Sequence, residues 1–438
     1  MRRHLSISFA ALLLTLSACS NFAQDGKVPL EGERISVLQL QNDLLPDPAL
    51  EQAELALPQA WTNRYWPQNG GYPNHAMGHL DLDAELKKAW EESVGKGGGR
   101  RAPLTSAPIV AEGLVFTIDT RGTVRAFDLK TGKSRWQQNV VPKGEEDTGL
   151  QGGGLGYAAG RLYVTSGYKY LAAINPETGH MIWSRPIASP ARSAPTVADD
   201  RVYVITMDNK LLVFAASDGA PLWDYKGVSE TTNLLGAASV AADKSLVVLP
   251  LSSGEIFGLR PENGRVVWED NLSAVRKMGA LSSIADIRGL PVLEQGVVYA
   301  VSYSGRLVAI DQVTGRRLWQ RETGSAETPY VAGAHLFIVT ADQQLVALSR
   351  QDGGIHWVAD LPRYEDDDKE ETIVWTGPVL AGGRLIVASS GGRMMELDPQ
   401  SGKVVRETKL PGSVTVPPVV ADGSLLLLTE DGRLAVYR

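Results

Sequence analysis

A tryptophan that follows a glycine turn, returning at near-constant intervals, constrains this chain more than any other feature. The clearest copies are Ala126-Phe-Asp-Leu-Lys-Thr-Gly-Lys-Ser-Arg-Trp136, Ala173-Ile-Asn-Pro-Glu-Thr-Gly-His-Met-Ile-Trp183 and Ala309-Ile-Asp-Gln-Val-Thr-Gly-Arg-Arg-Leu-Trp319. Degenerate copies end at Trp223, Trp268 and Trp357, and a seventh (residues 396–406) has Arg406 where tryptophan stands elsewhere. Successive ends lie 38 to 51 residues apart, the period of four short strands in one propeller blade. The Asx residue heading each turn can bond nearby amides, and the glycine accepts positive φ. The tryptophan opens an outer strand, where its ring can wedge between blades while its N–H finds an acceptor. Turns such as Thr120-Arg-Gly122 and Asp431-Gly432 separate the middle strands as short hairpins. A helical chain would space its apolar residues by three and four, which residues 106–438 do not.

Register predicts eight blades. Seven motifs precede a final set of three strands around Val419, Leu426 and Val436, which lack an outer partner. Residues 86–94, with Trp90 in phase 46 residues before Trp136, supply it. The expected fold is all-β: an eight-bladed β-propeller of four-stranded antiparallel blades over residues 84–438. Pairing residues 86–95 with 433–438 would close the ring and remove every long exposed edge.

The N-terminus reads as a targeting segment. Arg2 and Arg3 precede a short apolar run, Leu5 to Leu16, and then Leu16-Ser-Ala-Cys19, the only cysteine. This is similar to the lipobox of bacterial lipoproteins, which implies removal of residues 1–18 and a lipid on Cys19. Residue 20 is Ser rather than Asp, which resembles outer-membrane cargo under the familiar sorting rule. With Cys19 acylated no disulfide can form, so packing alone must hold the fold. Residues 19–83 are expected to be a tether with one short helix near 49–56, followed by a segment, Trp61 to Leu82, to which the residues assign no role. The formal charge of −7 offers no basic face for phosphates and argues against nucleic acid.

Length varies in the outer-to-inner connections, at residues 141–153, 224–236, 269–290 and 358–376, whereas the turns before the tryptophans are uniformly short. One face therefore carries the elaboration, and on a repeat scaffold that is the expected binding face. The acidic stretch 365–371 lies in one such loop and reads as solvated surface. His75 and His79 have i, i+4 spacing but sit in loop composition without a third ligand, so no metal is expected. The run Gly154-Leu-Gly-Tyr-Ala-Ala159 mimics a dinucleotide fingerprint but leads into a strand, not a helix. No Ser/His/Asp arrangement is available. No catalytic residue and no cofactor is expected, and the chain reads as a scaffold.

The Ala-x-Asp-x-x-Thr-Gly-x-x-x-Trp pattern at 126–136 and 309–319 resembles the quinoprotein-like (PQQ-like repeat) β-propellers. Within them, the lipobox, the tether and the strand order are similar to the BamB family, lipoproteins of the outer-membrane β-barrel assembly machine. The similarity covers residues 84–438 and is strongest at 290–311. It implies a non-enzymatic scaffold at the periplasmic face of the outer membrane. The implied partners are the periplasmic domains of the barrel-inserting (BamA-like) subunit, together with nascent barrel proteins. It places the contact on two stretches, Asn233, Leu234, Leu235 and Gly236, and Ala285 to Gly289 with Asp286, Ile287 and Arg288. Leu235 stands where the family pattern has Arg, and Arg288 where it has a second Asp. Two other readings stay open: a lipid-anchored scaffold for another envelope partner, and a PQQ-dependent dehydrogenase, which would need a calcium site and commonly a disulfide.

Overall fold

The computed structural model describes residues 44–50, 53–99, 102–142, 144, 152–228, 236, 238–273, 285–303, 305–365 and 371–438. Cys19, the signal segment, Asn233, Leu234, Leu235 and most of the acidic stretch lie outside the described residues.

Every blade is built as the repeat predicts, from four antiparallel strands, which follow sequence order in blades 1 to 7. Blades 1 to 7 span residues 109–139, 153–186, 196–226, 241–271, 292–321, 330–360 and 375–409. Blade 8 takes three strands from residues 419–437 and its outer strand, Lys88–Ser93, from the other end of the chain. That strand pairs with Arg433–Tyr437, Lys88 opposite Tyr437 and Ser93 opposite Arg433. The register is extended by Lys87 and Arg438, which exchange backbone hydrogen bonds of 2.7 and 2.9 Å. The strands second and third from the axis are covered on both faces by neighbouring blades, so they are continuous apolar runs such as Arg384–Ser389, buried after its first residue. The outer strands face solvent on one side and alternate instead, as Ser134–Asn139 does.

The tryptophans join each blade to the next. Trp90, Trp136, Trp223, Trp268, Trp319 and Trp357 each donate their indole N–H to a turn carbonyl of the following blade at 2.8 to 2.9 Å, and Trp183 does so at 3.3 Å. Each ring lies on the glycine of that turn. At Gly132, with φ +73°, a Cβ would come within 2.8 Å of the Trp90 ring, so the glycine serves both the turn and the close approach. Arg406 occupies the eighth position because the blade after it has no such turn. Its guanidinium reaches the Ala84 carbonyl (3.1 Å) and the Glu85 carboxylate (2.7 Å), where the chain enters the closing strand.

Two expectations for the N-terminal part are corrected. Among the described residues near 49–56 there is no helix: residues 48–50 make a turn, and residues 53 to 60 have no regular structure. Nor is the segment a free tether throughout, since residues 44–438 form one compact unit. Asp47 N donates to the Ile355 carbonyl (2.8 Å), and Gln400 bonds Leu55 N and the Ala53 carbonyl (2.9 and 3.2 Å). Residues 47–50 and 53–55 are thereby seated on blades 6 and 7.

The segment 61–82 proves to be a clasp around the axis. Innermost strands of a propeller present free backbone edges to the central channel, and unpaired edge groups need partners. The clasp supplies them blade by blade. Asn63 bonds Val420 and Asp422 of blade 8, and Trp66 exchanges two bonds with Val110 of blade 1. The Pro67 carbonyl accepts from Tyr157 of blade 2, and the Gln68 amide exchanges two bonds with Val197 of blade 3, both 2.8 Å. The carbonyls of Pro73 and Asn74 accept from Ala242 and Leu293 of blades 4 and 5. Gly78 accepts from the Tyr330 hydroxyl of blade 6, and Leu80 bonds Leu380 and Gly382 of blade 7. One short segment thus touches all eight blades in ring order. The run at Gly154 is itself part of the inner strand Gly153–Ala158. A Cβ on Gly156 would lie 2.8 Å from the Pro195 carbonyl of blade 3, which accounts for its glycine without a nucleotide.

Candidate functional site

The long connections between outer and next inner strands, residues 140–152, 227–240, 272–291 and 361–374, share one face, as the length pattern predicts. The two stretches singled out by resemblance belong to the second and third of these. Their described residues divide into two kinds. Asp286 and Ile287 are buried; Gly236 and Arg288 are partly exposed and meet at the axis.

Asp286 is not a surface acid. Its carboxylate Oδ2 lies 2.5 Å from Nη2 of Arg192, in the connection between blades 2 and 3, and both side chains are at most 2% exposed. Its carbonyl accepts from Tyr303 N (2.9 Å), fixing the loop to the hairpin of blade 5. Ile287 packs in an apolar cluster with Trp268 and Leu272. Both side chains therefore lie beneath the face rather than on it, whereas the resemblance places them in the contact. Sequence could not have found Arg192, 94 positions away, because no local pattern marks the pair.

Between these connections the axis opens as a funnel of about 930 Å³ including its mouth. Leu104, Leu290, Tyr330, Val379, Val416 and the prolines 417 and 418 make its walls apolar, and Trp66, Asn69, Gly70 and His75 of the clasp contribute to its lining. Arg288 is its one cationic lining residue among the described residues. Glu327 is buried in the wall, its Oε2 accepting from the Thr376 hydroxyl (2.8 Å) and Gly377 N (3.0 Å). Burial pushes its carboxyl above the usual range, while Arg288 pulls in the opposite direction.

The two histidines are parts of the clasp. His75 Nδ1 lies 2.7 Å from the Pro291 carbonyl, and a carbonyl only accepts, so Nδ1 carries the proton. Burial lowers its pKa to about 4. His79 is bound at both nitrogens, by the Pro58 carbonyl and by Gly383 N. No group of three or more His, Cys, Asp or Glu among the described residues could hold a metal ion.

These features define a quinoprotein-type eight-bladed β-propeller whose axis is clasped by its own N-terminal segment and whose long connections gather on one face. The family model described as outer membrane protein assembly factor BamB matches residues 120–359 and 365–438, and the chain belongs to that family. A relative of that name from Yersinia pestis is 28% identical over 356 residues, covering 80% of this chain and 88% of its own. The crystal structure of BamB from Moraxella catarrhalis superposes with a TM-score of 0.68 at 21% identity, covering 81% of this chain and 100% of that one. The quinohemoprotein alcohol dehydrogenase of Comamonas testosteroni, at 13% identity, TM-score 0.65 and coverage of 86% and 81%, shares the fold.

That fold neighbour raises the question of a quinone cofactor. Pyrroloquinoline quinone is a tricarboxylate, and the funnel has a single guanidinium among its described lining residues. The residues present do not fit the group.

Proposed function

We propose that this protein is a non-enzymatic scaffold in the assembly of outer-membrane β-barrel proteins. A lipid on Cys19 holds it at the periplasmic face of the outer membrane, and it binds the periplasmic domains of the barrel-inserting subunit. The observation that carries this reading is the family match across residues 120–359 and 365–438. The clustering of long connections on one face supports it, and in this reading the contact falls on connections 227–240 and 272–291, with Arg288 and Gly236 at the surface and Asp286 and Ile287 beneath. Loops carried on a rigid scaffold suit this task, since a rigid platform loses little entropy on binding.

The test is a mild-detergent pull-down of the lipidated protein from its own envelope, with mass spectrometry of what co-elutes. Recovery of a barrel-inserting outer-membrane protein is the expected result. Recovery of other envelope proteins alone would move the scaffold to a different partner.

A further inference from the structure

We infer that the turn face of the propeller, opposite the long connections, docks on a lipid bilayer surface through blades 5 to 7. The inference rests on the reading above that a lipid on Cys19 holds the chain at a membrane.

The exposed apolar side chains are divided unevenly between the two faces. In each blade the inner hairpin and the turn before the outer strand lie at one end, and the long connections lie at the other. Of the 14 large apolar side chains exposed among the described residues, 11 stand at the turn end and only Val228, Tyr364 and Val374 in the connections. Pairs open the outer strands of blades 2, 4 and 7: Met181 with Ile182, Val266 with Val267, and Val404 with Val405. Leu222 and Leu318 hold the same place singly in blades 3 and 5, and Val313, in the turn of blade 5, is 76% exposed. Strand propensity does not account for them. It acts along a whole strand, yet beyond the tryptophan position the same strands turn polar, as in Glu269-Asp270-Asn271 and Glu407-Thr408-Lys409.

On blade 6 the corresponding side chain is covered by the chain itself. Ile355, which opens that outer strand, is buried, and Asp47 bonds both its carbonyl (2.8 Å) and its amide (2.9 Å). The chain therefore joins the propeller at the turn end, between blades 5 and 7, whose own apolar openings are uncovered, and Leu45 is exposed beside them. Cys19 lies 25 positions before Leu44. Attachment through it keeps the bilayer within the length of that segment and raises its effective concentration at this end of the molecule.

The side chains present suit an interfacial contact. Arg316 stands between Val313 and Leu318, and Lys403 directly precedes Val404. Such side chains lay their stems on apolar surface while the charged head reaches water or a phosphate. The acids of the same turns, Asp311 and Asp398, are engaged within them by Thr314 (2.7 Å) and Ser401 (2.6 Å). Trp61 is displayed at the same end: its amide bonds the His79 carbonyl, and His79 bonds Gly383 in the inner hairpin of blade 7. Its ring is 41% exposed with the indole N–H fixed on the Met77 carbonyl, an aromatic of the kind favoured at headgroup depth. The apolar openings recur one blade apart without a groove joining them, which suits a fluid apolar surface better than a single bound segment.

The experiment uses the mature lipidated chain on vesicles of phosphatidylethanolamine and phosphatidylglycerol that carry a nitroxide-labelled lipid. With Cys19 acylated, a substituted cysteine is the single free thiol. Val313→Cys and Asp342→Cys therefore place a fluorophore at the turn end of blade 5 or the connection end of blade 6. The expected result is quenching at position 313 at least threefold stronger than at 342. Adding Leu318→Asp, Val404→Asp and Val405→Asp should remove the difference, while the protein still floats with the vesicles and unfolds at the parent temperature. Equal quenching at the two positions, or a difference that survives the three aspartates, overturns the inference and leaves the anchor standing. A chain that does not float with the vesicles overturns the anchor and the inference together.

Discussion

Arg192 and Asp286 form a buried ion pair, 2.5 Å between Nη2 and Oδ2, that ties the connection after blade 2 to the connection after blade 4. Blades 3 and 4 and the long connection that joins them lie between the two in sequence. The pair therefore braces the surface on which Gly236 and Arg288 meet, and it explains why an acid stands at position 286 without reaching solvent.

Removing one partner should cost far more than the pair contributes. Asp286→Ala leaves the Arg192 guanidinium charged and buried, and about 3 to 5 kcal/mol of stability should be lost. Asp286→Arg should be worse, since it sets two cations together. The double variant Arg192→Met with Asp286→Leu should recover most of the loss. Urea denaturation followed by circular dichroism measures all three. A stable, well-folded Asp286→Ala protein would mean that the pair is not the brace.

The ring seam should depend on Arg384 more than on Arg406. Arg384 lies 3.2 Å from the buried Glu396 carboxylate and bonds the Ala84 and Asp83 carbonyls. Arg406 is more exposed and lies 3.7 Å from the same carboxylate. Arg384→Met should cost about 3 kcal/mol, Arg406→Met about 1 kcal/mol or less. Thermal unfolding ranks the two, and the opposite order would contradict this view of the seam.

Acid should weaken the clasp. Folded His75 takes a proton only near pH 4, while the unfolded chain takes it near 6.5. Between those values the unfolded state binds one proton more, so stability is complete above about pH 6.5 and falls as pH drops towards 4. The loss attributable to this one residue is about 3 kcal/mol. Burial shifts His335 and His356 downward as well, so they add to the same trend. Urea midpoints at pH 7, 5.5 and 4.5 should fall in order, and His75→Gln should flatten part of the slope.

The clasp should show in hydrogen exchange. The amides of Val110, Tyr157, Val197, Ala242 and Leu293 face the axis and are bonded by residues 66–74. Each should be protected in the parent. Gln68→Ala removes both partners of Val197, a buried donor and acceptor, at about 2 to 3 kcal/mol. Exchange at Val197 should accelerate first, and unchanged protection there would refute the assignment.

The repeat made the fold legible before any coordinates. A period of 38 to 51 residues ending in tryptophan can bury its aromatic only against a copy of itself, and that determines blades, their order and the phase that makes Lys88–Ser93 the closing strand. Local turn chemistry did the rest, because glycine at a positive φ and an Asx beside it are decided within a few residues. The same locality put the long connections on one face. Tertiary structure alone decided the others. The residues at 61–82 have no periodicity of their own, since their hydrogen bonds go to strands as distant in sequence as Val420. Position 286 reads as a surface acid until Arg192 arrives from another connection, and position 406 reads as a lost tryptophan until the missing turn beyond it comes into view. Periodic contacts repeat along the chain and leave a pattern in it; contacts made once, between residues far apart, leave none.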